Sequence, residues 1–414
     1  MISIPGRTWR GRADVGDSAL NRLGAHRPRS RPEPEPAPDT IPDLMKITDI
    51  TLDRVRLPLD PPLRAAWDPD PRTVFDATIV RVHTDDGVVG IGSGDTMDGF
   101  DAYRHLFVGT DPLAIARHVR AIETCALHGG HYWPLEAALW DLAGKVAGLP
   151  VATLFGGTYE AVPAYASFCV LRPPAERAEV AHRVAEEGFR AVKIRVDRDR
   201  AEEGVAAVAA VRQALGADFA IMVDLNQAWR MAGDVAPATD LAATRRLVRR
   251  LAELDVFWVE EPLPYADADG MRTLRADNPG LRIAAGEMQR SFGELLRLLD
   301  GDALDVYQPD VVLAAGMSRV RTLAELALLR HRAFTPHSWT NGIGVLANLH
   351  VSAGVGGGPY FEFPYDPPDW TPARRDFPLA QPLTVGDDGM LAVPSTPGLG
   401  FTLDEEAIAR WRVR

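Results

Sequence analysis

The chain has 414 residues, of which 46% are hydrophobic and 25% are charged, and its formal net charge is −12. This composition is typical of a globular protein that is long enough for two domains. The negative charge argues against nucleic acid as a partner, because phosphate binding requires basic patches. No apolar run reaches the about 20 residues that a membrane-spanning helix needs, so we expect no membrane association. Two cysteines, Cys125 and Cys169, are too few for a disulfide framework, which favours the reducing cytoplasm.

The first 44 residues differ in composition from the rest of the chain. They are rich in arginine and proline, as in the run RSRPEPEPAP at 29–38. Such a segment buries too little apolar surface to offset its chain entropy, so 1–44 is predicted to be a disordered extension. It contains no apolar h-region and therefore does not resemble a secretory signal. The alternative is that translation begins at Met45, where patterned sequence begins.

Residues 45–158 are predicted to form an α+β domain, with strands first and helices after them. The strands alternate at period two and form a β-meander, and the helical segments follow a period of 3.6 residues. The predicted elements are strands at 46–57, 75–84 and 88–92, a proline-rich loop with Trp67 at 58–72, and helices at 111–126 and 133–147.

Short apolar runs alternate with helical stretches across 159–365. Eight βα units within about 200 residues are the signature of a TIM-type (β/α) barrel. A doubly wound sheet is the competing fold, but it usually has a glycine-rich first turn, and no GxGxxG follows a strand here. Residues 366–414 are expected to return to the first domain. The predicted strands are 163–170, 190–195, 219–224, 256–260, 282–286, 304–308, 333–336 and 359–363, and the helices are 174–187, 201–215, 238–254, 291–299 and 317–330.

Three successive barrel strands end in carboxylates, which are Asp224, Glu260 and Glu287. In this fold the ends of the strands surround one shared mouth. Three like charges in one cavity repel and take up protons unless a cation neutralises them. An all-oxygen ligand set with room for water and substrate suits Mg²⁺ better than Zn²⁺. One Mg²⁺ per site is therefore predicted.

Two further pairs of polar residues end other strands. Lys193 and Arg195 lie two residues apart in one strand, so both point to the same face and offer two positive charges to an anion. His337 and Asp310 end neighbouring strands, where a carboxylate–imidazole hydrogen bond would fix the tautomer and make His337 a general base. The order of the strands places the two pairs on opposite sides of the predicted metal.

Taken together, these residues resemble the enolase superfamily and, within it, the mandelate racemase subgroup with its acid-sugar dehydratases. The resemblance covers about 45–400 and depends on an ordered set across seven strand ends. The set is Lys193-x-Arg195, Asp224-Leu225-Asn226, Glu260-Glu261-Pro262, Gly286-Glu287, Asp310, His337 and Glu362.

The resemblance implies a modified TIM barrel with an N-terminal α+β capping domain, which the C-terminal segment completes. The loop around Trp67 would close over the substrate. The implied site residues are Asp224, Glu260 and Glu287 on Mg²⁺, Lys193 or Arg195 on the second strand, the His337–Asp310 dyad, and Glu362 as a hydrogen-bond partner of the substrate.

One departure from the subgroup concerns Arg195, because a second lysine is common at that position. Arginine keeps its charge, with a pKa above about 12, and is a poor proton acceptor, whereas it holds carboxylates well. The departure favours elimination over two-base racemisation. The predicted reaction removes the proton α to a carboxylate and then water from a sugar acid, giving a 2-keto-3-deoxy acid. A racemase, epimerase or cycloisomerase acting on a hydroxy acid or sugar-acid lactone is the alternative.

The expected partner is a small-molecule carboxylate, most simply a sugar acid, and the chain is expected to be a homo-oligomer. Asn226, Trp67 and Trp339 are predicted to bind the substrate. Specificity is expected to depend on the loops 58–72 and 95–100.

Overall fold

The computed structural model describes residues 45–94, 96–157 and 159–413, and the predicted extension at 1–44 lies outside them. The described chain begins with three antiparallel strands in the spatial order β1-β2-β3, which is the predicted β-meander. One face of this sheet is buried against the helices that follow. The strands are β1 (Ile47–Leu63), β2 (Arg72–Thr84) and β3 (Val89–Ser93).

The proline-rich loop is shorter than predicted. β1 continues to Leu63 and β2 begins at Arg72, so the connection is 64–71 rather than 58–72, and it still contains Trp67. The prediction was wrong because the prolines do not end the strand. β1 lies at an edge of its sheet, where the missing N–H of a proline leaves no neighbouring strand unpaired.

Two helices, α1 (Ile115–Cys125) and α2 (Trp133–Ala147), cover the buried face of the sheet. α2 has the predicted bounds. It approaches β3 closely because Gly90 has no side chain: a Cβ at this position would lie 2.1 Å from the carbonyl oxygen of Ala138. In this N-terminal part of the chain two short elements were not predicted, a 3₁₀ helix at Phe100–Leu106 and the helix α3 at Val151–Leu154.

All eight predicted parallel strands are present, and they form a curled sheet in the order β10-β9-β8-β7-β6-β5-β4-β11. This order follows the chain, except that the last strand lies beside the first, as a closing barrel requires. The predicted modified (β/α) barrel is confirmed. The strands are β4 (Ala161–Ser167), β5 (Ala191–Arg195), β6 (Ala220–Asp224), β7 (Trp258–Glu260), β8 (Arg282–Ala285), β9 (Val306–Tyr307), β10 (Ala333–Phe334) and β11 (Phe361–Pro364).

Helices connect most of these strands, and the five predicted ones are present. Two others, α7 (Ala268–Asp277) and α10 (Gly342–Val355), were not predicted. Every residue of α10 except the last is buried, so the helix has no amphipathic period that could reveal it.

No helix in the described ranges is long and apolar enough to cross a membrane. The predicted helices are α4 (Pro174–Glu186), α5 (Ala201–Leu215), α6 (Leu241–Glu253), α8 (Phe292–Asp300) and α9 (Met317–Leu329).

The barrel closes between β10 and β11 through side chains, since no ladder joins these two strands in the described part of the chain. The Thr335 hydroxyl donates to the carbonyl oxygen of Tyr360 at 3.0 Å. The backbone N–H of Ser338 donates to Glu362 Oε2 at 2.7 Å, and its hydroxyl donates to the Glu362 carbonyl oxygen at 2.6 Å. A residue of the predicted site therefore also holds the seam of the barrel.

The C-terminal segment contacts both parts of the chain. It contains α11 (Pro372–Arg375), β12 (Met390–Ala392) and α12 (Glu405–Trp411). β12 pairs antiparallel with β4. Near the end, Arg412 lies 2.7 Å from the Asp53 carboxylate of β1, and Glu405 lies 2.8 Å from Arg81 of β2.

His350 predicts a pH dependence of stability. It is buried in α10, where its Nδ1 accepts from the backbone N–H of Ala152 at 3.1 Å and its Nε2–H donates to the Leu399 carbonyl oxygen at 3.2 Å. Burial lowers its pKa from 6.5 to about 4. The unfolded chain therefore binds this proton at a higher pH than the folded chain. The contribution of His350 to the free energy of unfolding is fully present above pH 6.5. It falls by roughly 3 kcal/mol as the pH decreases towards 4.

The measurement is the free energy of unfolding of the wild type and of His350→Gln between pH 7 and 4. The variant should be less stable at pH 7, but its stability should fall less steeply with acidification. Equal slopes in the two proteins would show that His350 does not titrate between the folded and unfolded states.

Candidate active site

The polar strand ends lie level with one another at one mouth of the barrel. The register of the parallel strands pairs Arg195 of β5 with Asp224 of β6, and Asp224 with Glu260 of β7. Glu287 follows β8 by two residues. These side chains are buried, with Arg195 the most exposed at 5%. The sequence places them together because consecutive parallel strands end at the same edge of the sheet.

Asp224, Glu260 and Glu287 each offer an oxygen, and these oxygens lie within 4.8 Å of one another. Burial and the neighbouring Asp224 carboxylate raise the pKa of Glu260 to about 7. Burial also raises the pKa of Glu287, whose Oε2 atom is buried and has no hydrogen-bond partner in the described part of the chain. A site for a hard cation requires negative charge that the protein does not fully compensate, and a carboxylate oxygen without a hydrogen-bond partner. The residues therefore fit Mg²⁺.

Lys193 is fully buried in the middle of the carboxylates. Its Nζ lies 2.5 Å from Glu260, 2.7 Å from Glu362 and 3.4 Å from Asp224. Burial alone would lower its pKa, but the charges of Glu260 and Glu362 outweigh that effect and raise the pKa above the usual lysine value. The ammonium is a firmly held positive charge.

Arg195 binds the same cluster from the side of the cavity. Its guanidinium donates to Asp224 and, at 3.1 Å, to Asn226 Oδ1, and its Nε–H donates to the Phe168 carbonyl oxygen at 3.1 Å. The guanidinium also lies 4.7 Å from the centre of the Trp67 ring, in a cation–π contact. Unlike Lys193, Arg195 lines the cavity.

His337 and Asp310 form the predicted pair, with His337 Nδ1 2.9 Å from Asp310 Oδ2. Because the carboxylate only accepts, Nδ1 carries the proton and donates. Nε2 faces the carboxylate cluster and lies 3.7 Å from Glu287 Oε2. Burial would lower the pKa of His337, but the charges of Glu287 and Glu362 and the bond to Asp310 raise it to about 9.

Glu362 is more deeply buried than a residue in contact with substrate, which is the role predicted for it, would be. Its Oε1 accepts from Lys193 and, at 2.7 Å, from the Ser167 hydroxyl, and its Oε2 accepts from the Ser338 N–H. Despite burial, the charges of Lys193 and His337 lower its pKa to about 2. It does not line the cavity, so a contact with substrate would require one of these partners to release it.

Glu261, the next residue after Glu260, is also fully buried. Its backbone has a left-handed conformation, with φ 48°, and its carboxylate accepts from the Tyr265 hydroxyl. Its Oε2 atom is buried without a hydrogen-bond partner in the described chain, and it does not line the cavity.

A cavity of about 580 Å³ opens onto Arg195, Glu287 and His337. Asn226, Trp67 and Trp339, the predicted substrate-binding residues, all line it. Asn226 presents an amide nitrogen that is buried and without a partner in the described chain, so this donor is available to a ligand. Sequence reasoning missed several lining residues, of which Trp229, Arg230, Met231, Met288 and Trp370 are examples.

An aromatic wall, defined as Trp67, Trp339, Trp370 and Phe75, covers one side of the cavity. The centroid distances along it are 4.9 Å from Trp67 to Trp339, 5.4 Å from Trp339 to Trp370, and 5.0 Å from Trp370 to Phe75. Trp339 is fixed by a 2.9 Å bond from its indole N–H to the Ser167 hydroxyl, which in turn donates to Glu362. Two hydrogen bonds, through the Ser167 hydroxyl, therefore connect the aromatic wall to the charged cluster.

Comparison with known proteins agrees with this geometry. Residues 49–156 match the family described as mandelate racemase/muconate lactonizing enzyme, N-terminal domain, and residues 175–407 match the one described as enolase C-terminal domain-like. A D-galactarolactone cycloisomerase from Agrobacterium fabrum is 29% identical over 89% of this chain and 99% of its own length. An L-talarate/galactarate dehydratase from Salmonella typhimurium is 33% identical over 67% of this chain and 64% of its own length. Relatives at 25–30% identity are named as another cycloisomerase, dehydratases of D-xylonate and arabinonate, and a racemase.

Among solved structures, a racemase from Streptomyces coelicolor A3(2) with bound magnesium has a TM-score of 0.76 and 29% identity, covering 89% of this chain and 100% of its own. Magnesium in a relative of the same fold, and a carboxylate cluster that fits it here, confirm Mg²⁺ as the cofactor. The chain is therefore an enzyme of the enolase superfamily and belongs to its mandelate racemase/muconate lactonizing enzyme family.

Proposed function

We propose that this enzyme removes the proton α to a carboxylate of a sugar acid and then eliminates the β-hydroxyl as water, giving a 2-keto-3-deoxy acid. The observation that carries the proposal is the hydrogen-bonded His337–Asp310 pair, which opens onto the same cavity as Arg195 and Glu287. A base and a fixed positive charge thus face one substrate-sized space. Dehydratases and cycloisomerases among the relatives support this class of chemistry.

In the proposed site, Asp224, Glu260 and Glu287 hold the Mg²⁺. When bound, the metal supplies positive charge that stabilises the enediolate formed by loss of the α-proton. Lys193 and Arg195 keep Asp224 and Glu260 in place and offset part of their charge. The Asn226 amide nitrogen, which has no partner in the described chain, is the donor we assign to a substrate oxygen.

His337 is the proposed base. Its Nδ1–H is committed to Asp310, so Nε2 is the nitrogen that carries the lone pair in the neutral imidazole, and in that form it accepts the proton from the α-carbon. The electrons of the broken C–H bond enter the enediolate. The C–O bond to the β-hydroxyl then breaks, and the proton on Nε2 passes to the departing oxygen, which leaves as water. The enol that remains loses its hydroxyl proton and takes up a proton from solvent at the former β-carbon, which gives the 2-keto-3-deoxy acid. One histidine therefore serves both steps, and neither step requires a base on the opposite face.

Lys193 and Arg195 have different proposed roles. Lys193 is enclosed by three carboxylates that raise its pKa, so we assign it as a fixed charge that holds Glu260 and Glu362 rather than as a base. Arg195 reaches the cavity and remains charged, so it is suited to hold the substrate carboxylate. Glu362 supports Lys193, and its predicted contact with substrate stays a prediction, as do the homo-oligomer and the cytoplasmic location.

A second candidate function is ring opening of a cyclic sugar acid or lactone by the same α-proton removal. The aromatic wall favours it, because the apolar C–H face of a ring packs well against tryptophan, whereas an open-chain polyol has hydroxyls along its whole length. In that reaction the ring oxygen, rather than a hydroxyl, is the group that leaves from the β-carbon.

Glu260→Gln should bind Mg²⁺ much more weakly and lose its Mg²⁺-dependent activity, because the substitution removes a charged ligand. Its Kd for Mg²⁺, measured by titration calorimetry, should rise by more than about 100-fold, beyond the 10–100-fold that is typical of residues that only support a ligand. Glu325→Gln, an exposed change on α9, is the control. Retained Mg²⁺-dependent turnover in Glu260→Gln would remove Glu260 from the metal site.

His337→Asn should lower kcat by about 10²–10⁴-fold, the usual contribution of a general base. Mg²⁺ affinity should change little, because His337 is not a proposed ligand. Turnover is measured by the release of 2-keto acid, with His182→Asn on the outer helix α4 as the control. A His337→Asn enzyme with full turnover would rule out the assigned base.

Incubation with Mg²⁺ in D₂O separates the candidate reactions. The wild type is offered a panel of mono- and diacid sugars and their lactones, and products are followed by proton NMR. We expect a 2-keto-3-deoxy product in which one hydrogen on the former β-carbon is deuterium from the solvent, and any α-deuterium in recovered substrate should have entered from one face only. Exchange from both faces without loss of water would instead indicate racemisation, with Lys193 or Arg195 as a second base. Turnover restricted to lactones would establish the ring-opening alternative.

A further inference from the structure

The carboxylate of Glu287 has a partner that the reaction does not use. Trp229 lies in the loop after β6, five residues beyond Asp224, and its indole N–H donates to Glu287 Oε1 at 2.7 Å. The other oxygen, Oε2, is buried without a hydrogen-bond partner in the described residues. The two oxygens of one carboxylate are therefore distinguished, one bound to an indole and one free for a cation.

The loop that carries Trp229 is itself held firmly. Asn226 has a left-handed backbone, with φ 45°, which turns the chain out of β6. Gln227 then fixes the loop: its N–H donates to the Glu261 carbonyl oxygen at 2.9 Å, and its side-chain oxygen accepts from Arg198, Arg230 and Thr239. The indole is thus presented to Glu287 by a braced loop rather than by a mobile one.

We propose that Trp229 is a positioning residue for the metal site, which makes Glu287 bind the cation through Oε2 alone. With Oε1 bonded to the indole, the carboxylate cannot swing to present both oxygens. Mg²⁺ requires near-ideal octahedral geometry and small, single-oxygen ligands, whereas Ca²⁺ accepts bidentate carboxylates and longer bonds. Trp229 would therefore tune the site for Mg²⁺ over Ca²⁺. This inference depends on the proposed metal ligands.

The same bond keeps Glu287 apart from the base. Glu287 Oε2 lies 3.7 Å from His337 Nε2, which is beyond hydrogen-bond distance but close enough that a rotation of the carboxylate could bring the two groups together. A carboxylate released from Trp229 is free to rotate towards the imidazole. Anchoring Oε1 therefore preserves both the ligand and the access of Nε2 to the cavity.

The test is Trp229→Phe, which keeps an aromatic ring and removes the N–H. We expect the Kd for Mg²⁺, measured by calorimetry on the full chain, to rise about 10–100-fold. We expect the Kd for Ca²⁺ to rise less, so that the preference for Mg²⁺ over Ca²⁺ falls by about 10-fold. Trp140→Phe is the matched control, because its indole N–H also donates to a buried carboxylate, Glu136 at 3.3 Å, away from the site. Its metal affinities should equal those of the wild type.

An unchanged Mg²⁺ affinity in Trp229→Phe would overturn the proposal, and so would an equal loss for Mg²⁺ and Ca²⁺. If Trp229→Phe does not fold, Trp229→His, which keeps a ring N–H, is measured in its place and should retain more of the Mg²⁺ preference than Trp229→Leu. A wild type that binds no Mg²⁺ would instead refute the proposed ligand set. The two failures are therefore distinguishable without any assay of turnover.

Discussion

The structure depends on the neutralisation of buried charge at one end of the barrel. Lys193 and Arg195 lie among Asp224, Glu260 and Glu362 with almost no exposure to water. Charges taken out of water cost several kcal/mol each, and only close pairing with further hydrogen bonds offsets that cost. The pairing here is incomplete, because the pKa values of Glu260 and Glu287 are both raised. A divalent cation compensates the remaining negative charge, so the same cluster of residues contributes to folding and to metal binding.

This cluster also explains how the barrel closes. Glu362 on β11 accepts from Ser167 of β4, from Lys193 of β5, and from the N–H of Ser338 beyond β10. The bond from Ser338 crosses the seam, where no backbone ladder joins β10 and β11 in the described residues, whereas β4 and β11 also pair through their backbones. Loss of one partner would leave a buried charge unpaired, which typically costs about 3–5 kcal/mol. Glu362, a residue of the proposed site, thus also holds the barrel together at that point.

The sequence was informative where a strict period connects position to geometry. Period two put Lys193 and Arg195 on one face, and the rule that parallel strands end together brought Asp224, Glu260 and Glu287 to one place. It was uninformative where conformation depends on tertiary contacts. Trp229 reaches Glu287 only through the turn at Asn226, and α10 is apolar on every side and has no period to detect. The division into domains at 158 and 365 stays a prediction, because these limits depend on packing rather than on a motif.

Arg195 shows how one side chain links the charged cluster to the capping domain. Its guanidinium binds Asp224 through its edge and presents its face to Trp67, on the loop between β1 and β2. A lysine could pair with Asp224, but its compact ammonium has no planar face on which an indole could stack in the same way. The arginine, at a position where the resemblance to the family implies a lysine, therefore has two consequences that come from the same geometry. It offers no readily titratable group at this strand end, and its guanidinium contacts Trp67 on the loop between β1 and β2.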